Sequence, residues 1–233
     1  MKYVYLRENM FNKWFIVHLR YLLGVAFIPS GYTKLIGNRF TQISTDHPIG
    51  YFFEGLYQSG FYYNFIGFAQ LLAGFLIMTQ RLATLGNLIY FSLIVNICII
   101  TISLSFKGTW IITSLMLLAS TVLLIWDYQK LKLIFSSHST PRISAHSEPS
   151  VYWQITGLVY FILFISFSVF NYNAVAGGFI AGLIFITFAV SNTVAYLRYR
   201  KRKNNTSDGK AFPWSFNLNF GGILRIFEIN FIL

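Results

Sequence analysis

A chain of 233 residues with 55% hydrophobic and only 11% charged side chains, against about 25% charged in an average soluble domain, is built for a bilayer and not for water. Its net charge of +11 would suggest nucleic acid in a soluble protein; here the basic residues are placed as topology and anionic-lipid signals, and nucleic-acid binding is set aside. One cysteine, Cys98, lies inside an apolar run and excludes an internal disulfide or a thiolate metal cluster.

In chain order, basic Met1–Lys13 precedes an apolar run too long for a signal-peptide core and without a small-x-small cleavage site, so it reads as an anchor. Apolar runs long enough to span follow at 14–36, 61–79, 82–106, 109–126, 151–171 and 175–197. They predict an all-α integral membrane protein: a four-helix transmembrane bundle plus two further transmembrane helices.

The first span contains His18, Arg20, Pro29 and Lys34. At about 1.5 Å per residue, Arg20 lies roughly 9 Å inside a span that opens at Trp14. An arginine at mid-helix costs roughly 2.5 to 3.5 kcal/mol on insertion scales, so it snorkels, pairs within the bundle, or faces a functional cavity.

The loop at 37–60 includes Thr45-Asp46-His47-Pro48 ahead of IGYFFEGLYQ, which reads as a helix start with proline in its first turn. Its acidic members, Asp46 and Glu54, are expected to face Lys34 and Arg39, either as loop packing or as a lid over a ligand. Span two places Gln70 near its middle between Gly67 and Gly74, span three has Asn96 in its outer half, and span four ends at Asp127; Gly24, Gly31, Gly67 and Gly74 read as helix-packing glycines. Because Arg20 and Asp127 reach similar depths, an ion pair is expected if spans one and four are neighbours. Gln70 and Asn96 either bond across helices, at about 0.6 kcal/mol each, or line a pocket for a carbonyl or hydroxyl headgroup such as a quinone ring. Arg20, Lys34, Gln70 and Asn96 are the candidate ligand-binding residues.

The remaining organisation follows from composition. Residues 1–132 form the bundle with its external loop, 133–150 a polar linker, 151–197 a two-helix extension, and 198–233 a basic tail. His138 and His146 in the linker have no metal-ligand spacing and read as solvated. Gly177, Gly178, Ala181 and Gly182 form a small-x-x-x-small stripe suited to close helix approach. Arg198, Arg200, Lys201, Arg202 and Lys203 read as a stop-transfer anchor attracted to anionic lipid. The tail from Phe212, alternating around Gly221-Gly222, reads as a hairpin or an interfacial helix.

Basic residues gather on the N-terminal side, at Lys2, Arg7, Lys13, Arg81, Lys130, Lys132, Arg142 and along the tail, against Lys34, Arg39 and Lys107 on the other. The positive-inside rule then puts both termini in the cytoplasm, in a multi-pass protein of the inner (plasma) membrane.

No paired carboxylates, Ser-His-Asp arrangement, phosphate-cradling glycine loop or metal cluster is legible, so hydrolytic and nucleotide-dependent chemistry find no support. LRYLLGVAFIPSGYTKL at 19–35, Phe40, GFAQLLAGFLI at 67–77, Arg81, Asn96 and WDYQKL at 126–131 resemble the DoxX-like membrane proteins over roughly residues 14–132. The resemblance implies a four-helix bundle, quinone-linked through relatives such as the small subunit of an archaeal thiosulfate:quinone oxidoreductase. It picks out Arg20, Gly31, Lys34 and Gln70. The expected function is an accessory, redox-associated subunit, without catalytic activity of its own, that holds a quinone or similar lipid-soluble ligand for a redox partner. The alternatives are a small-solute carrier or channel, and a scaffold that recruits a soluble protein through its tail.

Overall fold

The computed structural model describes residues 10–135, 150–170 and 174–207. Every element within them is a helix: α1 Met10–Leu35, α2 Pro48–Gln58, α3 Phe61–Met78, α4 Ala83–Ser103, α5 Thr109–Trp126, α6 Tyr128–Phe135, α7 Val151–Phe170 and α8 Ala174–Ser207. Six of these, all but the short α2 and α6, are long and apolar enough to cross a membrane. The protein is therefore a multi-pass, all-α membrane protein. His138 and His146, the residues before Met10 and the tail from Phe212 lie outside the described residues, so the linker and hairpin readings are not addressed by it.

The chain divides into two compact units, Met1–Phe188 and Ala189–Leu233. The first is organised by the antiparallel packing of α1 on α3. Gly24 and Gly31 on one helix meet Gly74 and Gly67 on the other, at the same seven-residue spacing. A Cβ on Gly67 would stand 2.7 Å from the Gly31 carbonyl oxygen, and one on Gly74 would stand 3.0 Å from that of Gly24. Absent side chains let the backbones touch, which replaces the hydrophobic drive that lipid does not supply.

Against this pair, α4 and α5 close one core around Leu23, Phe27, Ile77, Tyr90, Ile94 and Leu123, where Phe27 stacks on Tyr90 at 3.9 Å. On the other side α7 docks as a fifth helix. Gly157 lies against the Met78 carbonyl and Tyr21, Tyr160 joins Val17, Tyr21, Ile28 and Met78, and the Tyr21 hydroxyl donates to the Trp153 carbonyl at 2.5 Å. Span five, read from sequence as an extension, is thus part of the bundle's packing. His18 is taken up by rings, its imidazole lying between 4.2 and 6.1 Å from Trp14, Tyr21, Trp153 and Phe188.

One difference from the sequence expectation has a local cause. Helix α8 runs on to Ser207, ten residues beyond the expected end of its span, because Arg198–Lys203 contains neither glycine nor proline and long basic side chains are good helix formers. Along it, Gly178 and Gly182 have no atom within 4 Å of a notional Cβ, whereas Gly177 is buried. The described part of the second unit is the remainder of this helix.

Candidate functional site

Two polar clusters lie along α1. Arg20 and Lys34 are fourteen residues apart, or about 21 Å along a helix axis, so they belong to opposite ends of the bundle.

The Arg20 cluster is assembled by two turns. Asp127 closes α5, its N–H donating to Leu123 O at 2.9 Å, while its own carbonyl accepts from Lys130 and Leu131 to begin α6. That double anchorage fixes its carboxylate. Arg20 Nη2 donates to Asp127 Oδ2 at 2.9 Å, Arg20 Nη1 donates to Gln80 Oε1 at 3.0 Å, and Thr84 Oγ1 donates to Asp127 Oδ2 at 3.1 Å. Arg20, Gln80 and Asp127 are all buried.

Gln80 stands in the turn between α3 and α4 at φ 62°, a left-handed conformation in which glycine is the inexpensive residue. A glycine there would leave Arg20 without its second acceptor, so the side chain is retained at a backbone cost of about 1 to 2 kcal/mol. Its amide Nε2 has no partner among the described residues. The cluster joins α1, the α3–α4 turn, α4 and the end of α5.

The Lys34 cluster is smaller. Lys34, 5% exposed, donates through Nζ to Ser30 Oγ at 2.6 Å and Ser30 O at 3.2 Å. Ser30 Oγ in turn donates to Gln70 Oε1 across to α3 at 3.1 Å. The ammonium lies 4.2 Å from the centre of the Phe40 ring. Among the described residues the salt bridges are Arg20–Asp127 and Arg39–Glu54, so Lys34 is buried without a carboxylate.

Above it sits α2. His47 precedes Pro48 at the first helical position, as the sequence pattern predicts. Arg39 grips Glu54 with Nε and Nη2, both at 2.9 Å, and lies over the Tyr57 ring at 4.7 Å. The Arg39 bond, with a second from Gln58, holds the Glu54 carboxyl down to about 2. Asp46 instead accepts from Ser44, so neither acidic residue of the loop faces Lys34.

Of the four candidate ligand residues, the structure brings together Lys34 and Gln70, with Ser30 between them. Arg20 belongs to the other cluster, beside Asp127. Asn96 joins neither: it is exposed on α4, and its Nδ2 donates to Ser92 O one turn back at 2.7 Å. The asparagine that crosses helices is Asn87, which donates to Ser120 O at 3.0 Å and accepts from Ser120 Oγ at 2.8 Å.

Sequence reading missed Ser30, Gln80, Thr84, Asn87 and Ser120. One available signal was Ser30 and Lys34 at i, i+4. Another was Thr84 and Asn87, which fall on the same α4 face as the buried Tyr90 and Ile94. Among the described residues no group of three or more His, Cys, Asp or Glu side chains is placed to hold a metal.

Buried charge at both ends of a glycine-packed helix pair defines a polytopic membrane bundle with internal polar sites. The DoxX family model matches residues 15–103, and over that stretch the chain is similar to the DoxX-family membrane proteins. The match takes in α1 to α4, with Arg20, Lys34, Gln70 and Gln80. It ends before α5 and Asp127, short of the reach to about 132 read from sequence. No curated protein and no solved structure matches the chain.

Proposed function

We propose that this protein is an accessory subunit of the inner membrane that holds the polar head of a lipid-soluble molecule at Lys34, Ser30 and Gln70, a quinone being the class the family resemblance implies. The observation that carries the reading is a buried lysine that has no carboxylate partner among the described residues and shares a serine with a buried glutamine. The donor set suits a carbonyl oxygen. Lys34 offers ammonium hydrogens, and Gln70, whose oxygen is taken by Ser30, keeps its NH2 group to donate. A bound quinone would supply electron carriage to a redox partner protein, while the residues themselves hold and orient its head in a dry setting.

In this reading both termini are cytoplasmic, which puts the Lys34 cluster toward the outer leaflet. The basic turn of α8 at Arg198–Lys203 then meets anionic lipid on the inner face.

The test is gentle extraction followed by mass spectrometry of the co-purifying lipid-soluble molecules. Retained quinone that is lost in Gln70→Leu, with the fold intact, supports the reading. Equal retention in wild type and Gln70→Leu, or none in either, overturns it.

A further inference from the structure

The end of α1 that bears Lys34 also borders a groove of about 460 Å3, lined by Tyr32, Thr33, Asn38, Arg39, Phe40 and Tyr57 among others. Its lining contains a cation and no carboxylate. Phe40 belongs to both places: it lines the groove, and its ring covers the Lys34 ammonium.

The two cations at this end are unequally compensated. Arg39 is compensated by Glu54, whereas Lys34 has hydrogen bonds and a ring face but no counter-charge among the described residues. A dehydrated cation of this kind is costly unless an anion comes to it. Phe40, 39% exposed, both covers that ammonium and lines the groove. The Thr33 hydroxyl hydrogen is spent on Pro29 O, so the charged donor in the lining is Arg39, beside the neutral donors of Asn38, Gln42 and the tyrosines, with Lys34 under the Phe40 ring.

We propose that the groove is the mouth of an oxyanion site, in which a phosphate-type head settles against Arg39 and, when the Phe40 ring swings aside, meets Lys34. The chemistry is shared by free phosphate and by an anionic lipid headgroup. This goes beyond the quinone reading: it uses Lys34 but requires neither Gln70 nor a quinone.

The experiment uses the full chain in phosphatidylcholine nanodiscs, with trinitrobenzenesulfonate as the probe and peptide mass spectrometry to follow modification of Lys34. Wild type is expected to react slowly and Phe40→Ala about tenfold faster, a change in barrier of about 1.4 kcal/mol. Inorganic phosphate should slow the reaction in both, while chloride at the same ionic strength should not; Arg39→Gln should weaken the protection. A second arm replaces free phosphate with phosphatidylglycerol in the disc. Protection there assigns the head to lipid, and protection by free phosphate alone assigns it to a soluble anion.

No protection in either arm overturns the proposal, and an unchanged rate in folded Phe40→Ala overturns the role of the ring. Should Phe40→Ala fail to fold, protection of the wild type still decides. Quinone content is measured in the same preparation, so lost protection with quinone retained defeats this inference alone.

Discussion

Arg20 and Asp127 lie 107 positions apart in the chain and meet at 2.9 Å, with less than a tenth of either side chain exposed. Removing one partner leaves the other charge stranded. Arg20→Ala and Asp127→Ala should each cost about 3 to 5 kcal/mol, read as a loss of thermal or detergent-unfolding stability. Combining Arg20→Met with Asp127→Leu should recover most of that loss, because the penalty belongs to the orphaned charge more than to the missing attraction. A double variant as unstable as the sum of the singles would contradict this.

The glycine contacts of α1 and α3 make a contrasting pair of predictions. Gly67→Ala places a methyl 2.5 Å from the Leu35 nitrogen and 2.7 Å from the Gly31 carbonyl, both backbone atoms that move only with their helix. The expected cost is about 1 to 3 kcal/mol. Gly178→Ala meets no atom within 4 Å and should stay within about 0.5 kcal/mol of wild type. Unfolding midpoints of the two variants in one detergent compare them directly.

Two asparagines of α4 should behave oppositely. Ser120→Ala leaves the buried Asn87 without its hydroxyl partner and is expected to cost about 1 to 2 kcal/mol. Asn96→Leu, which removes only a bond to its own helix on an exposed face, should leave stability unchanged. A loss on Asn96→Leu would mean that the outer face of α4 has a partner.

The Arg39–Glu54 clamp gives a pH dependence. Glu54 titrates near 2 in the folded loop against 4.5 for an unpaired glutamate. Its contribution is therefore complete above about 4.5, shrinks as pH falls from there toward about 2, and is gone below. Hydrogen exchange of the α2 amides should quicken over that window in wild type, after correction for intrinsic rates. In Glu54→Gln the extra acceleration should be absent, since no carboxylate remains to titrate.

The spans were legible because apolar length is a strong signal, and α2 because proline follows a polar turn at His47. The packing role of Gly24, Gly31, Gly67 and Gly74 was visible from residue type alone. Which polar residues meet was harder to read. Arg20 with Asp127 followed from matched depth, but residue type alone grouped Asn96 with Gln70, and the rotation of α4 about its axis turns Asn96 outward and Asn87 inward. An all-round apolar helix carries almost no moment to report that rotation. Gln80 was hidden for another reason: a left-handed turn announces itself through glycine or asparagine, and here the position is held by a residue chosen for its reach.

The long separation between Arg20 and Asp127 matters while the protein is being made. The first span leaves the ribosome and enters the translocon well before the carboxylate that will neutralise it exists, and the nearer acceptor, Gln80, is synthesised earlier than Asp127. A nascent chain cut between α4 and α5 therefore carries a naked guanidinium with a neutral amide for company, and quality-control proteases that survey membrane helices would have that charge to recognise until the fourth span arrives.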